Sequence, residues 1–237
     1  MYYLCKVKGN YLKIEYMLAK DLISDVVPAL RTSDTGLKAL SYMDIFRISH
    51  LPIVNNTEFL GLISDRDIYD LNMADEPIGN HTLSLNRPFV LFNQHVFEVI
   101  ELAARLELTV IPVLDDKNNY MGVINQHDLL KYFADLIAVK QPGAIIVLEL
   151  NKNDYSLSQI AQIVEGNDAK ILSLYVSSIN DSTKIEVTIK INKTDMSSVT
   201  QTFNRYNYDI KASYMDTDLL SNMMDDRYEM LMRYLSV

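Results

Sequence analysis

The chain has 237 residues, of which 49% are apolar and 22% are charged, a balance that is typical of globular proteins and excludes wholesale disorder. The net charge of −9 argues against a nucleic-acid backbone or an anionic membrane as the main partner, because either would need a basic face. No apolar run approaches the roughly 18 residues of a membrane-spanning helix, and the N-terminus lacks the apolar core of a signal peptide. With Cys5 as its single cysteine the chain can form no intrachain disulfide, so we expect a soluble, cytoplasmic protein.

Each half of the first 140 residues predicts the element order β-α-β-β-α. In the first half, an extended segment at 26–30 precedes an amphipathic helix at about 35–48, and Asp34 is the expected N-cap. Two short apolar strands, LPIV and FLGLI, follow, and a closing helix starts at Asp65. The second half has the same elements: a segment at 89–92, a helix at about 95–106 with Asn93 as the expected N-cap, strands VIPVL and YMGVI, and a helix starting near Gln126.

These two halves are an internal repeat with an offset of about 60 residues. The offset is one residue longer after the turn DDKNNY, which replaces NNTEF. Agreement between prolines, glycines, aspartates and apolar positions makes coincidence a poor explanation. Four pairs of residues carry the repeat: Pro28 and Pro88, Pro52 and Pro112, Gly61 and Gly122, and Asp67 and Asp128.

After a break at Gln141-Pro142-Gly143, the pattern changes to β-α-β-β-α-β, the ferredoxin-like order. The predicted elements are strand 144–150, helix 155–165, strands 170–179 and 184–192, helix 196–207 and strand 209–215. A last amphipathic helix at 216–237 carries a stripe rich in Leu and Met. We expect it to dock on its own domain or on a second copy of the chain.

The tandem units resemble a pair of CBS domains, a Bateman module, in which each unit has a Gly-apolar-x-Thr/Ser-x-x-Asp turn. The turn GLISDRD at 61–67 fits this pattern fully, whereas GVINQHD at 122–128 has Asn125 in place of Thr or Ser. The last unit is similar to an ACT domain, and the order CBS-CBS-ACT is that of the acetoin-utilisation protein B (AcuB) family. The resemblance implies an α/β (α+β) chain with CBS domains at 17–74 and 75–140, an ACT-like domain at 143–215 and a final helix at 216–237.

Both turns lead into a helix N-terminus, where free amides and the helix dipole favour an anion. A glycine allows close approach, an acidic side chain can accept from two ribose hydroxyls, and polar or basic neighbours can contact phosphate. The resemblance implies AMP, ADP, ATP or a related adenosyl ligand. The predicted nucleotide-binding residues are the glycines Gly61 and Gly122, the ribose acceptors Asp67 and Asp128, the phosphate partners Ser64, Arg66, Asn125 and His127, and the adenine wall Val27 and Phe89.

The ACT-like unit departs from its family at the turn KNDYSL, 152–157. ACT ligand sites usually carry Asp-x-x-Gly-x-Leu, but here Lys152 replaces the aspartate and Tyr155 the glycine. A side chain where the backbone must approach a ligand argues against an amino-acid site, so an interaction module is favoured. No metal site is predicted, because the histidines His50, His81, His95 and His127 lack ligand spacing.

The sequence therefore predicts a non-catalytic regulatory protein that senses an adenosine nucleotide and signals to an unknown partner protein through its last domain. No Walker-type loop, nucleophile elbow or clustered Cys/His pair favours an enzyme. No cofactor is expected to be obligatory, and the resemblance implies a homodimer. The alternative is a ligand-free scaffold in which both halves only dimerise.

Overall fold

The computed structural model describes residues 5–7, 10–12, 18–70, 72, 74–80, 87–178 and 183–215. The chain divides into two compact units, Met1–Tyr132 and Phe133–Val237. His81 and the expected final helix at 216–237 lie outside the described residues. The division into domains at 17–74, 75–140 and 143–215 stays a prediction.

The first repeat contains the predicted strand pair and both helices. A short antiparallel hairpin, β1 (Cys5–Val7) and β2 (Asn10–Leu12), precedes it. Its elements are α1 (Gly36–Phe46), β3 (His50–Asn55), β4 (Glu58–Ser64) and α2 (Asp65–Asp70). The extended segment before α1 contributes a single parallel bridge, in which Leu30 pairs with Ile53 of β3. The closing helix begins at Asp65, as the sequence predicts.

The second repeat has the same elements in the same order. They are β5 (Val90–Leu91), α3 (Val96–Leu106), β6 (Val110–Leu114), β7 (Tyr120–Asn125) and α4 (Gln126–Leu136). Val90 pairs in parallel with Val113, and these two residues lie 60 positions after the bridged pair Leu30 and Ile53 of the first repeat. The internal repeat of the sequence is thus a repeat of backbone pairing.

Both strand pairs contain an irregularity at the repeated glycine. In the first repeat Ile53 pairs with Gly61, and the register then shifts so that one residue of β4 is left without a partner. In the second repeat Val113 pairs with Gly122 and the register shifts in the same way. An extra residue of this kind is a β-bulge, a position that often carries glycine.

The expected N-cap of α1 is wrong by one residue. The Oγ1 of Thr35 accepts from the amide of Lys38 at 3.4 Å, so Thr35 is the cap. Asp34 instead closes the preceding turn: its carboxylate accepts from the amide of Arg31 at 2.8 Å and from the Lys38 ammonium at 2.7 Å. Two adjacent residues that both favour caps compete here, and the carboxylate of Asp34 forms charge-assisted bonds with the Arg31 amide before the helix and with the Lys38 ammonium.

The expected N-cap of α3, Asn93, is also wrong. His95 caps this helix, since its Nδ1 accepts from the amide of Phe97 at 3.2 Å. Histidine is not among the residues that usually cap helices, so no local pattern favours it over the asparagine.

One hydrophobic core is shared by both repeats. Leu51 and Ile53 of β3 and Val110 and Val113 of β6 have no exposed surface, and all belong to the same buried cluster. Residues of α1, α3 and α4 extend this cluster. Because neither repeat has a separate core, the two repeats depend on each other for burial of their apolar surface.

The second unit has the predicted ferredoxin-like order. Its elements are β8 (Ile145–Asn151), α5 (Leu157–Glu165), β9 (Ile171–Ser178), β10 (Lys184–Ile191), α6 (Ser197–Arg205) and β11 (Asp209–Tyr214). All pairs are antiparallel in the sheet order β11-β8-β10-β9. Apolar residues alternate along β8 and β10, and the buried set packs with α5 and α6 in a separate core.

A glycine fixes the backbone just before the first strand of this unit. Gly143 has φ of +154°, and a Cβ there would lie 1.9 Å from the carbonyl oxygen of Ile191. Only glycine fits this close approach of two backbones. The break Gln141-Pro142-Gly143 thus marks the first strand of the sheet, as the sequence predicts.

Candidate functional site

The first repeated turn joins β4 to α2 through a reciprocal hydrogen-bonded pair. The Oδ2 of Asp67 accepts from the Ser64 amide at 2.9 Å and from the Ser64 hydroxyl at 2.6 Å. The Oγ of Ser64 in turn accepts from the Asp67 amide at 3.1 Å. This is the geometry of a capping box, which satisfies free amides at the start of a helix. The turn thus brings the predicted phosphate donor and ribose acceptor together.

Both side chains of this pair are partly exposed, so the pair lies at a surface that a ligand can reach. Of the two carboxylate oxygens of Asp67, only Oδ2 accepts hydrogen bonds from the described residues. The other oxygen, Oδ1, is left for another donor. Arg66 is exposed, and its amide donates to the Asp65 carboxylate at 2.8 Å. The guanidinium of Arg66 is therefore presented to solvent beside the turn.

The second turn has a different arrangement at the same positions. The Oδ1 of Asn125 accepts from the His127 amide at 2.9 Å. The carboxylate of Asp128 pairs with the Lys131 ammonium at 3.2 Å. In the described part of the chain, Asn125 and Asp128 form no hydrogen bond with each other. A hydroxyl can donate to the carboxylate and accept from its amide at once, and the asparagine does not reproduce that exchange.

Gly122 has a packing role. Its φ is +149°, and a Cβ there would lie 2.5 Å from Cγ2 of Ile23. The amide of Ser24 donates to the carbonyl of Val123 at 2.8 Å, so the segment 18–24 lies directly against this part of β7. The space over this glycine is filled by the protein's own chain.

The two predicted wall residues differ in exposure. Val27 is 6% exposed and belongs to the shared core, so its side chain contributes to packing. Phe89 is 40% exposed and remains available for contact with a ligand. The structure therefore does not bring these two side chains together on one open wall.

A polar cluster that sequence reasoning missed joins the two repeats. The Oγ1 of Thr109 accepts from the amides of Ser49 and His50 at 3.0 and 3.1 Å, and lies 3.1 Å from Nδ1 of His50. His50 is also the partner of Ser64 across the β3–β4 pair, which places both side chains on one face. The one signal in the sequence is that Ser49 and Thr109 stand at the offset of the repeat.

The same cluster supports the first residue of each closing helix. The carbonyl of Ser49 accepts from the Asp65 amide at 3.1 Å, and the carbonyl of Thr109 accepts from the Gln126 amide at 3.0 Å. Hydrogen bonds therefore run from the start of α2, through Ser49 and Thr109, to the start of α4. We call Ser49, His50 and Thr109 the junction cluster.

Burial lowers the pKa of His50 below its ordinary value of 6.5, although the carboxylates of Asp65 and Asp67 act in the opposite direction. Desolvation disfavours the charged imidazolium, and here it outweighs the attraction of the two acids. His50 is therefore neutral near pH 7.

The second unit has a polar cavity of about 380 Å³ beside the turn at 151–154. The hydroxyl of Tyr208 closes one side by donating to Gln159 at 2.7 Å. Tyr155, which stands where ACT sites usually have glycine, packs against the core of this unit.

Within the described residues, no group of three or more His, Cys, Asp and Glu could hold a metal ion. No helix in the same residues has the length and apolar character needed to cross a membrane.

Comparison with known proteins identifies the first unit. Residues 19–73 and 83–135 match the family model of the CBS domain. The N-terminal half of the chain is a tandem pair of CBS domains. The matched ranges contain both repeated turns and the junction cluster, and the resemblance inferred from the turns is confirmed.

Two curated relatives match about half of the chain. An inosine-5'-monophosphate dehydrogenase of Methanocaldococcus jannaschii is 27% identical over 122 residues, which are 50% of this chain and 23% of that protein. An arabinose 5-phosphate isomerase of Francisella tularensis is 22% identical over 124 residues, 51% of this chain and 37% of that protein. The chain thus spans well under half the length of these relatives.

Three solved structures each match about half of the chain. A CBS domain pair/ACT domain protein of Thermotoga maritima has 22% identity and a TM-score of 0.45, over 50% of this chain and 98% of that one. A putative acetoin utilization protein of Vibrio cholerae has 21% identity and a TM-score of 0.45, over 52% and 94%. CBSX2, solved in complex with AMP, has 14% identity and a TM-score of 0.43, over 50% and 96%.

Proposed function

We propose that this protein is a regulator that binds an adenosine nucleotide of the AMP, ADP or ATP class at the first turn of its CBS pair. In this proposal the bound state is passed to a partner protein through the ACT-like second unit, and the chain performs no catalysis. No cofactor is obligatory. The nucleotide is the signal that the protein reads.

The observation that carries the proposal is the Ser64–Asp67 pair. It places a hydroxyl and a carboxylate at a partly exposed helix start, with Oδ1 of Asp67 available to a ribose hydroxyl. Arg66 supplies an exposed cation beside them for a phosphate. A site whose groups already hold each other in place loses less conformational entropy when the ligand binds.

We assign the ligand to the first turn rather than the second for two reasons. Ile23 fills the space over Gly122, where a ligand would otherwise approach the backbone. Asp128 is paired with Lys131, so a ribose would have to displace an ammonium group. Phe89 stays a proposed contact for the adenine, since 40% of its surface is exposed.

The test is titration calorimetry of the purified chain with AMP, ADP, ATP, S-adenosylmethionine and NAD. We expect one member of the AMP, ADP and ATP class to bind with micromolar affinity, about −8 kcal/mol. Asp67→Ala should abolish binding, and Asp128→Ala should leave it measurable. Asp65→Ala is the matched control. Within the described residues, the Asp65 carboxylate accepts a hydrogen bond only from the neighbouring Arg66 amide. Absence of binding by the whole panel would refute the proposal.

The alternative, a ligand-free dimerisation scaffold, has its own supporting observation. β9 is an edge strand of its sheet, and it exposes Tyr175 and Val176 by 49% and 44%. An exposed apolar edge can pair with the same edge of a second copy. Light scattering would test this alternative, because Val176→Lys should convert a dimer to a monomer. A monomeric wild type would remove both this alternative and the homodimer that the resemblance implies.

A further inference from the structure

Hydrogen-bond counting fixes the protonation of His50 in the junction cluster. The Thr109 hydroxyl accepts two amides, from Ser49 and His50, and a hydroxyl has only two acceptor positions. Its own proton must therefore be donated, and Nδ1 of His50 lies 3.1 Å away. The Thr109 amide approaches the same nitrogen at 3.4 Å. Nδ1 is therefore an acceptor, and the neutral ring carries its proton on Nε2.

Protonation would disrupt this arrangement. A proton on Nδ1 would face a hydroxyl whose acceptor positions are both occupied, and the Thr109 amide would lose its acceptor. The charged groups that face the ring are Asp65 and Asp67 of α2, and both favour the imidazolium. From the second repeat the facing group is the uncharged Thr109. On acidification, these two carboxylates favour protonation of the ring, whereas the hydrogen bonds that join the repeats favour the neutral ring.

The first turn depends on the same cluster. Ser49, held by Thr109, accepts from the amide of Asp65, the first residue of α2. α2 carries Asp67, and β4, which pairs with β3 at His50, ends at Ser64. Two hydrogen bonds therefore link Thr109 to Asp65, which lies two residues before the proposed ribose acceptor Asp67 on the same helix.

We propose that His50 is a positioning residue that makes nucleotide affinity at the first turn fall on acidification, by releasing the junction cluster when its ring is protonated. This inference rests on the proposed function. It differs from a direct contact between an imidazolium and a phosphate, because such a contact would strengthen binding as the pH falls.

The test is calorimetric titration with AMP at about pH 7.5 and about pH 5.5, using the full chain and two histidine variants. His50→Gln keeps an acceptor for the Thr109 hydroxyl but cannot titrate at position 50, so its profile reports the phosphate of AMP and the other ionisable groups of the chain. Wild-type affinity should fall roughly threefold to tenfold more than that of His50→Gln, the order of a modest coupling between two sites. His127→Gln, which removes an exposed ring at the second turn, should follow wild type.

A second pair of variants separates positioning from simple loss of structure. Thr109→Val removes the hydroxyl at nearly constant volume and should weaken AMP binding at the higher pH, whereas Thr109→Ser should restore it. Parallel pH profiles of wild type and His50→Gln would overturn the inference while leaving the proposed function intact. A relative rise of wild-type affinity at low pH would also overturn it. If wild type binds no nucleotide of the panel at either pH, the proposed function itself is wrong.

Discussion

The two repeated turns share a sequence pattern but reach different local structures. In the first, Ser64 and Asp67 bond to each other, and the neighbour across the strand pair is the half-buried His50. In the second, Asn125 and Asp128 each bond elsewhere, and the residue across from Asn125 is the fully buried Val110. The repeat has thus kept one polar turn with titratable surroundings and one whose neighbours serve packing.

A repeated sequence motif therefore does not guarantee a repeated arrangement of hydrogen bonds. The pattern Gly-apolar-x-polar-x-x-Asp fixes a β-bulge and a helix start in both copies. The pattern does not determine which groups bond to the aspartate. Those partners decide whether a ligand could take their place. The two turns differ at the fourth position of the pattern. With serine, this residue and the aspartate bond to each other, and with asparagine each of the two bonds to a different residue.

The largest effect should come from the glycine of the second turn. Gly122→Ala places a Cβ against Ile23 at a backbone angle that favours glycine, so we expect a loss of about 2–3 kcal/mol in unfolding free energy. Urea denaturation measures it. Adding Ile23→Ala should recover part of the loss by making room. If Gly122→Ala is as stable as wild type, the packing role of this glycine is wrong.

The two aspartates should differ next. Asp67→Ala removes the Ser64 partner and should cost about 1 kcal/mol of stability, the usual value of a capping interaction. Asp128→Ala removes an ion pair whose side chains are 43% and 59% exposed, and should cost less than about 0.5 kcal/mol. Thermal or urea unfolding of both variants gives the ranking. Equal losses would mean that the turns are alike after all.

The difference can also be removed by design. Asn125→Ser gives the second turn the Ser-x-x-Asp spacing of the first, and we expect a gain of about 0.5 kcal/mol as a second capping box forms. Ser64→Asn, the reverse change, should destabilise the first turn and serves as the matched control. A destabilised Asn125→Ser protein would indicate that the ion pair with Lys131 holds Asp128 away from position 125.

The smallest effect should be the pH dependence contributed by His50. Its pKa is lower in the folded chain than the ordinary value of 6.5, so the unfolded chain binds the proton more readily. Stability is then full above about pH 6.5 and falls as the pH drops below that value towards the folded pKa. Urea midpoints at about pH 7.5 and about pH 5.5 should show a smaller drop for His50→Gln than for wild type. Equal drops would place the titrating group elsewhere.

Most of the fold could be predicted from the sequence because its signals are local. The paired prolines and glycines set the repeat, the apolar alternation of KIEVTIKI set a central strand, and both closing helices begin where the polar turns end. The N-cap predictions for α1 and α3 were wrong because these local signals could not choose between neighbouring candidates. Thr35 and Asp34 are both good caps, and the choice depends on whether the Asp34 carboxylate instead bonds to the Arg31 amide and the Lys38 ammonium.

The candidate site was predictable only in part. Ser64 and Asp67 are three residues apart, so their pairing follows from helix geometry. His50 and Thr109 are 59 positions apart, and no local pattern brings them together. The role of Gly122 likewise depends on Ile23, which reaches it from the start of the chain. Contacts between residues far apart in the sequence therefore hold the turn in place, and local patterns do not predict them.

The segment at 18–24 has a consequence for how this protein can be divided. All but its first residue lies within the first matched CBS range, yet its amides at Ala19, Lys20 and Ser24 donate to carbonyls of Gln94, Phe92 and Val123 in the second. A gene fragment that encodes either repeat alone would lack strand contacts that the other supplies. Recombination can therefore move the pair between proteins as a whole, and a half-module would persist only by exchanging this segment with another copy of itself.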